Sequence, residues 1–406
     1  MSAVDDADVA SATRIYLDNN STTRIDPAVV AAMTQCWANG YVNPASQHQL
    51  GQQARWVLED AREGIAQLVG AKTTGMNADP VIFTSGGTEA NNLALLGLAG
   101  RPPGRIVISS LEHPSIVGAA ERARQLGFDI VRLPASISGE VQIESLPELL
   151  GDGRTKLVSV MLANNETGVL QNVPAIAQLC RKFSVPLHTD AVQMIGKLPI
   201  HFQDLEVTAM TIAAHKFHGP VGIGALILRH GVTLDPLHFG GFQQAGLRPG
   251  TEPIALAVGM HTALRQWQSE AAERTTRTTE LRNQFEAELQ AQLPEITING
   301  GEAKRLPNTS NISFLGLDRQ TLLLALDMAG IACSTGSACA SGSSEPSPVL
   351  TAMGLSAARI RSALRFSLSA QTTAAEITEA TRRIIQTCRH LRQQLGTRKS
   401  PAPPPQ

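Results

Sequence analysis

Apolar and polar positions along this chain switch repeatedly between two periods, and the switching lays out its elements. Short apolar runs bounded by turn residues, the mark of buried strands, fall at Ile15-Tyr16-Leu17, Val81-Ile82-Phe83-Thr84, Arg105–Ser109, Asp129–Leu133, Leu157–Leu162, Val185–Thr189, Met210–Ala214 and Gly222–Leu228. Between them the spacing turns helical. Ala54, Val57, Leu58, Ala61, Ile65 and Leu68 mark one face of an amphipathic helix over Gly51–Val69, and prolines at 27, 114 and 174 open three more. Strands alternating with helices predict an α/β fold with a mostly parallel sheet covered on both faces. From Ala255 to about Leu293 the pattern is one long helix, whose length suggests a bridge to a second, smaller α+β unit. That unit would hold strands at Asn311–Leu315 and Arg361–Leu368 and helices at Thr321–Ala329 and Ala374–Leu395. Residues up to about 13 read as a loose arm and the end from about 397, closing in PAPPPQ, as an extended tail.

The chemistry gathers where strands should end. Thr208–Gly224 reads TAMTIAAHKFHGPVGIG: an apolar run stops at His215-Lys216, and Gly219-Pro220 turns the chain. A lysine at a buried strand end either reaches out to solvent or is neutralised, paired or covalently bonded. Schiff-base chemistry uses the second kind, because partial burial lowers the amine's pKa. Three further strand ends carry polar residues that a buried sheet does not need: Glu112-His113-Pro114, Asn164-Asn165-Glu166-Thr167-Gly168 and Asp190-Ala191-Val192-Gln193. Singly each reads as a loop histidine, a turn former or a helix cap. Together they favour a site, because open parallel sheets bind ligands at the carboxyl ends of their strands. Ser85-Gly86-Gly87-Thr88 joins a strand to a helix start, which is either a plain capped N-terminus or an anion cradle. It is neither a Walker loop nor GxGxxG.

Composition narrows the setting. With 406 residues, 43% hydrophobic and 17% charged, the chain is expected to be a soluble protein of about two domains. A net charge of −1 without a Lys/Arg block argues against nucleic acid or an anionic membrane as partner. No apolar stretch approaches the roughly 20 residues that span a bilayer, and the acidic start MSAVDDADVASATR does not resemble a signal peptide. Five cysteines, an odd number with no CxxC pair, point away from a disulfide framework or structural zinc and toward the reducing cytoplasm. Cys339 stands among small residues in CSTGSACASGSSEPSP, where a thiol is more readily reactive than a core cysteine. The loop His238–Thr251 is too glycine-rich to be an element and too long for an idle connection.

YLDNNSTT, FTSGGTEANN, EHPSI, ANNETG, HTDAVQ, HKFHGP, RPGTE, LPNTSNISF, STGSACASGSSEP and LRFSL follow in this order from about Ile15 to Leu395. In these motifs the chain resembles the group I cysteine desulfurases, pyridoxal-phosphate enzymes of fold type I in the class V aminotransferase family. The resemblance implies a large cofactor-binding domain over 22–262 and a small domain made of 1–21 and 263–406. It implies a cytoplasmic homodimer that takes sulfur from L-cysteine, leaves alanine, and passes the sulfur to an iron–sulfur scaffold or another acceptor protein. Lys216 would hold pyridoxal phosphate as a Schiff base, Asp190 would pair with the ring nitrogen, and His113 would stack on the ring and assist proton transfers. Gln193 would bond the ring hydroxyl, and Asn165 would lie by the ring and the substrate carboxylate. Gly87, Thr88 and His215 would bind the phosphate, with Thr251 arriving from the neighbouring subunit. Arg365 would clamp the substrate carboxylate, and Cys339 would carry the persulfide and could serve as a transient cluster ligand; no resident metal is implied.

The sequence departs from the family pattern at Ala213-Ala214, where a hydroxyl or thiol residue and glycine usually precede His-Lys. It departs again at Gln244 and Ala245, which replace a glutamate and an arginine. Two rivals share the scaffold: a selenocysteine or cysteine lyase, and a cofactor-bound subunit that no longer turns over.

Overall fold

A computed structural model of the chain describes residues 14–336 and 345–398. The arm before residue 14, the tail from 399 and Cys339 lie outside the described residues.

The first strand, β1 (Ile15–Tyr16), leaves its helical neighbours at once and pairs in parallel far along the chain, with Ile331–Ala332. The predicted α/β alternation then appears as β2 (Val81–Thr84), β3 (Arg105–Ser109), β4 (Asp129–Leu133), β5 (Thr155–Ser159), β6 (Leu187–Asp190), β7 (Ala209–Ala213) and β8 (Gly224–Leu228). These seven form one sheet in the order β2-β8-β7-β6-β5-β3-β4. Pairing is parallel from β7 to β4, while β8 runs antiparallel to both its neighbours, β7 and β2. The carboxyl ends of β2, β3, β5, β6 and β7 therefore share one edge.

Alternating side chains explain why the sheet is covered on both sides. Ile106, Ile108, Leu226 and Leu228 enter one buried cluster, whereas Val107, Ala225 and Ile227 enter another on the opposite face. Helices Pro27–Ala38 and Gln49–Leu68 cover the second face through Val29, Met33, Ala54, Leu58 and Ile65. The first of these starts where the sequence indicated: Asp26 accepts from the amide of Ala28 at 2.9 Å and Pro27 occupies the first turn.

Helix Ile254–Gln292 is 39 residues long, close to the predicted span. Its Ile254–Trp267 portion packs into the sheet core, and Leu281, Phe285 and Leu289 pack into a separate core. That second core is built on β9 (Ile296–Ile298), β10 (Thr309–Phe314), β11 (Ile331–Ala332, the partner of β1) and β12 (Ala363–Ser367). β10 lies antiparallel between β9 and β12, with Asn311 opposite Arg365. Phe366 meets Phe285 edge-on at 5.3 Å and Phe314 at 6.2 Å.

Boundaries moved in several places. The run predicted to be a strand through Leu162 leaves its ladder with β3 after Ser159, although the amides of Val160 and Leu162 still donate to carbonyls of β6. The strand expected at Val185–Thr189 is shifted to Leu187–Asp190, so Asp190 ends the strand instead of following it. Arg361 closes a short helix, Ala357–Arg361, ahead of β12. The strand expected from Gly222 begins at Gly224, where a side chain has no room: a Cβ there would sit 2.7 Å from the carbonyl carbon of Gly86. The glycine turn after β2 thus lies directly on the start of β8.

Candidate active site

The shared strand edge opens on a cavity of about 640 Å³ whose wall includes Gly87, Thr88, His113, Asn165, Asp190, Gln193, His215 and Lys216. Eight of the predicted residues, scattered over some 130 positions of sequence, therefore come together. Lys216 follows β7 in a single 3₁₀ turn, Ala214–Lys216. Its Nζ donates to the carbonyls of Asn20 at 2.7 Å and Ser21 at 2.6 Å, in the turn after β1. Burial, and then the charge of Arg365, push the amine down to about 8, against the opposing pull of Asp190 and Asp18.

Asp190, at the end of β6, is buried and fully engaged on its near side. Oδ1 accepts from the amide of Val192 at 2.9 Å, and Oδ2 accepts from Nδ2 of Asn91 at 2.7 Å. His113 caps the helix Pro114–Gln125 with its own ring: Nδ1 accepts from the amide of Ser115 at 3.1 Å. His215 meets Thr22 Oγ1 at 3.2 Å, and burial followed by the charges of Lys216 and Lys197 depresses it to about 4. Gln193 donates from Nε2 to the same Asn20 carbonyl at 3.0 Å. Since that carbonyl only accepts, the orientation of the amide is fixed, and Oε1 turns to Nζ of Lys197 at 3.0 Å. Lys197 is buried with no acidic partner among the described residues, and its amine is held well below the ordinary lysine range by burial and by Lys216 and Arg365.

At the glycine turn, helix Gly87–Leu98 has no side-chain cap, so its first amides are offered to the cavity. The approach is close: a Cβ on Gly87 would lie 3.0 Å from Val192 Cγ2 and 3.5 Å from Ala213 Cβ. Asn164 is consumed structurally, its Oδ1 accepting from the amides of Glu166 and Thr167 at 2.9 Å each. Its neighbour Asn165 faces the cavity while its carbonyl accepts from Arg365 Nη1 at 2.9 Å.

Two predicted residues stand apart from this wall. Arg365 lies behind it, bonded to Asp18 Oδ1 at 2.7 Å and Ser21 Oγ at 2.8 Å, with Nε buried and without a partner among the described residues. Thr251 is exposed and does not line the cavity. The loop that ends at Thr251 contains an element after all, a 3₁₀ turn at Gln243–Gly246. Gln244, in the left-handed region at φ 51°, uses both ends of its amide on the open edge of β2. Oε1 accepts from the amide of Phe83 at 2.6 Å and Nε2 donates to its carbonyl at 2.9 Å. The departure at 244 is thus a side chain that mimics a neighbouring strand, and the loop is ordered by it.

Sequence reasoning missed Asn91, Ser115, Lys197 and the carbonyls of Asn20 and Ser21. All lie inside or beside the quoted motifs, so the signal was present but carried no assignment. Among the described residues no group of three or more His, Cys, Asp or Glu is arranged to hold a metal, and no helix is long and apolar enough to cross a membrane.

A lysine with a lowered pKa, an aspartate and a histidine on strand ends, beside an uncapped helix start, define a site for carbonyl chemistry on an anionic ligand. Comparison with known proteins agrees. Residues 15–379 match the family Aminotransferase class-V. The chain is 38% identical over 362 residues to the cysteine desulfurase IscS of Dictyoglomus turgidum, covering 88% of this chain and 90% of that one. A solved NifS-like protein superposes with a TM-score of 0.86 at 32% identity, over 93% of this chain and all of its own. SspA in complex with cysteine superposes with a TM-score of 0.76 at 31% identity, over 88% of this chain and 100% of its own. The chain belongs to the class-V aminotransferase family and, within it, to the group I cysteine desulfurases. Members of that family in general work with pyridoxal phosphate.

Proposed function

We propose that this chain binds pyridoxal phosphate in the cavity described above and moves sulfur from L-cysteine to Cys339, leaving L-alanine. The observation that carries the reading is the set of bases crowded around Lys216. Burial first, and then the charge of Lys216, lowers both His215 and Lys197, and Lys197 adds to the effect on His215, a crowding of cations that a bound phosphate and ring oxygen would relieve. The donor set fits the group: uncapped amides at Gly87 and Thr88 and the ring of His215 for the phosphate, Asp190 for the ring nitrogen, and an N–H of Gln193 for the ring oxygen.

When bound, the cofactor supplies an electron sink for carbanion chemistry at the substrate. Lys216 would hold it through Nζ, and its amine is placed to carry a proton at the substrate. Asp190 would hold a proton on the ring nitrogen. His113 would lie against the ring and move a proton at the substrate, and Asn165 with Arg365 would orient the substrate carboxylate. The Cys339 thiolate attacks the substrate sulfur; the substrate C–S bond breaks, a persulfide forms at Cys339, and a proton on the substrate's β-carbon completes alanine. The other four thiols support this assignment of the sulfur carrier, because burial raises each of them, Cys180 and Cys388 to about 12. Ser334 and Gly336, just before Cys339, both contact Arg365.

The same reading divides the chain into a large domain over 22–262 and a small one over 1–21 and 263–406, and the separate packing of the two portions of the long helix supports a division of this kind. It makes the working unit a homodimer in which Thr251 reaches the other subunit's phosphate. Exposed Trp37, Trp56, Phe239 and Phe242 supply apolar surface for such an interface. The sulfur then passes to an iron–sulfur scaffold or another acceptor in the cytoplasm. The test is the visible spectrum of the purified protein with and without L-cysteine, in the wild type and in Lys216→Ala. A cofactor band that shifts with cysteine only in the wild type is expected; a colourless wild type overturns the reading. Full turnover in Cys339→Ser would favour a lyase, and bound cofactor without persulfide would favour a subunit that has lost catalysis.

A further inference from the structure

His113 and Asp190 are joined by two side chains that no motif assigned. Asn91 Nδ2 donates to Asp190 Oδ2 at 2.7 Å and to Ser115 Oγ at 2.8 Å. Ser115 Oγ in turn lies 2.8 Å from His113 Nδ1, and the amide of Ser115 donates to the same nitrogen at 3.1 Å. Both ends of this chain have a fixed polarity. The carboxylate of Asp190 only accepts, so Asn91 must turn its NH₂ toward it. A backbone amide only donates, so Nδ1 must present a lone pair. Between them Ser115 Oγ accepts from Asn91, and its own proton has Nδ1 as its acceptor. A proton on Nδ1 would face the amide hydrogen of Ser115 and leave the Ser115 hydroxyl proton without an acceptor. Asn91 and Ser115 are buried, and Asn91 Oδ1 has no partner, so no competing bond favours a flipped amide.

We infer that Asn91 and Ser115 are positioning residues that hold His113 as the Nε2–H tautomer, with the direction of the chain set by Asp190. Nε2 makes no hydrogen bond among the described residues, and His113 lines the cavity. The ring therefore offers the cavity a hydrogen-bond donor at rest and must receive a base's role by losing that proton to substrate or to Lys216. The consequence for catalysis rests on the function proposed above; the tautomer itself does not.

The test is made on the full chain, with and without pyridoxal phosphate, by long-range ¹H–¹⁵N spectra of histidine-labelled protein. His113→Gln identifies the His113 signals among the 10 histidines. A bare Nδ1 and a protonated Nε2 in the cofactor-free wild type are expected; a protonated Nδ1 or an even mixture overturns the inference. Asn91→Asp is nearly isosteric and reverses the Ser115 end of the chain: the new carboxyl shares one proton with Asp190 Oδ2 and accepts from the Ser115 hydroxyl, whose oxygen then accepts from Nδ1. It should populate the Nδ1–H form, and Ser115→Ala in the same background should abolish that change. An unaltered pattern in folded Asn91→Asp, or a change that survives Ser115→Ala, overturns the proposal, the latter by showing a through-space charge effect alone. Should Asn91→Asp not fold, Ser115→Ala alone must shift the tautomer ratio about fivefold toward Nδ1–H, the worth of one hydrogen bond; no shift overturns it. A wild type that takes up no cofactor would sink the proposed function and leave this measurement intact.

Discussion

Arg365 and Asp18, 347 residues apart in sequence, are joined by a 2.7 Å ion pair behind the wall of the cavity. The same guanidinium holds Ser21 Oγ and the carbonyl of Asn165, so it braces the turn that meets Lys216. A substrate carboxylate that takes both arms of the fork must displace some of these bonds. Arg365→Lys keeps the charge and loses the planar fork. It should raise KM for cysteine by about tenfold or more, with cofactor affinity little changed. An unchanged KM would leave Arg365 as a brace only.

Lys216 gives a pH prediction. Its amine titrates at about 8 in place of the ordinary 10.5. Below the lower value it is an ammonium ion that cannot attack a carbonyl; above it the free amine predominates. Covalent uptake of pyridoxal phosphate by cofactor-free protein, followed by absorbance, should speed up with pH and level off above about 8. A rate that keeps rising toward 10 would show an ordinary, solvated lysine.

Glu112 is buried beside the site, with Oε1 accepting from Ser109 Oγ and the Met161 amide and Oε2 unpartnered. Burial raises its carboxyl to about 8 from 4.5. The folded protein therefore binds a proton that the unfolded chain releases between those values. Stability from this group is complete below about 4.5 and is lost as pH rises through about 8. Glu112→Gln has no such dependence. The melting temperature of Glu112→Gln should gain on the wild type steadily from pH 5 to pH 8; a constant difference would mean that the carboxylate is ionised throughout.

Gln244 pins its loop to the sheet edge by both halves of one amide. Gln244→Ala should cost about 1–2 kcal/mol and accelerate hydrogen exchange at Phe83 and over residues 243–250. Gln244→Glu places a carboxylate against the Phe83 carbonyl and should exchange nearly as fast as the alanine variant. Wild-type protection in Gln244→Glu would mean that Arg62, which bonds Oε1 at 3.0 Å, holds the loop by itself.

What could be read in advance was whatever is encoded locally. Pro27 announces a helix start, the spacing of Ala54, Leu58, Ala61 and Ile65 announces a buried face, and polar residues at four strand ends announce a site. Strand ends were read less well because an apolar residue such as Leu162 stays buried after its strand has left the ladder. Asn91, Ser115 and Lys197 were not read because their roles exist only through partners on other elements: nothing near Lys197 in sequence says that its amine fixes an amide four residues back. Gln244 looked like a defect because its partner is a strand edge 161 residues away.

The turn that receives Lys216 is seated by a strand some 347 residues further along the sequence. Asn19 Nδ2 donates to the carbonyl of Ser367 at 2.8 Å, and the amide of Asn20 donates to Ser367 Oγ at 2.9 Å. The last strand of the small domain therefore shares with Gln193 the task of holding these carbonyls against the Lys216 amine, so that a change at Ser367 is felt at the reactive nitrogen without touching the cavity wall.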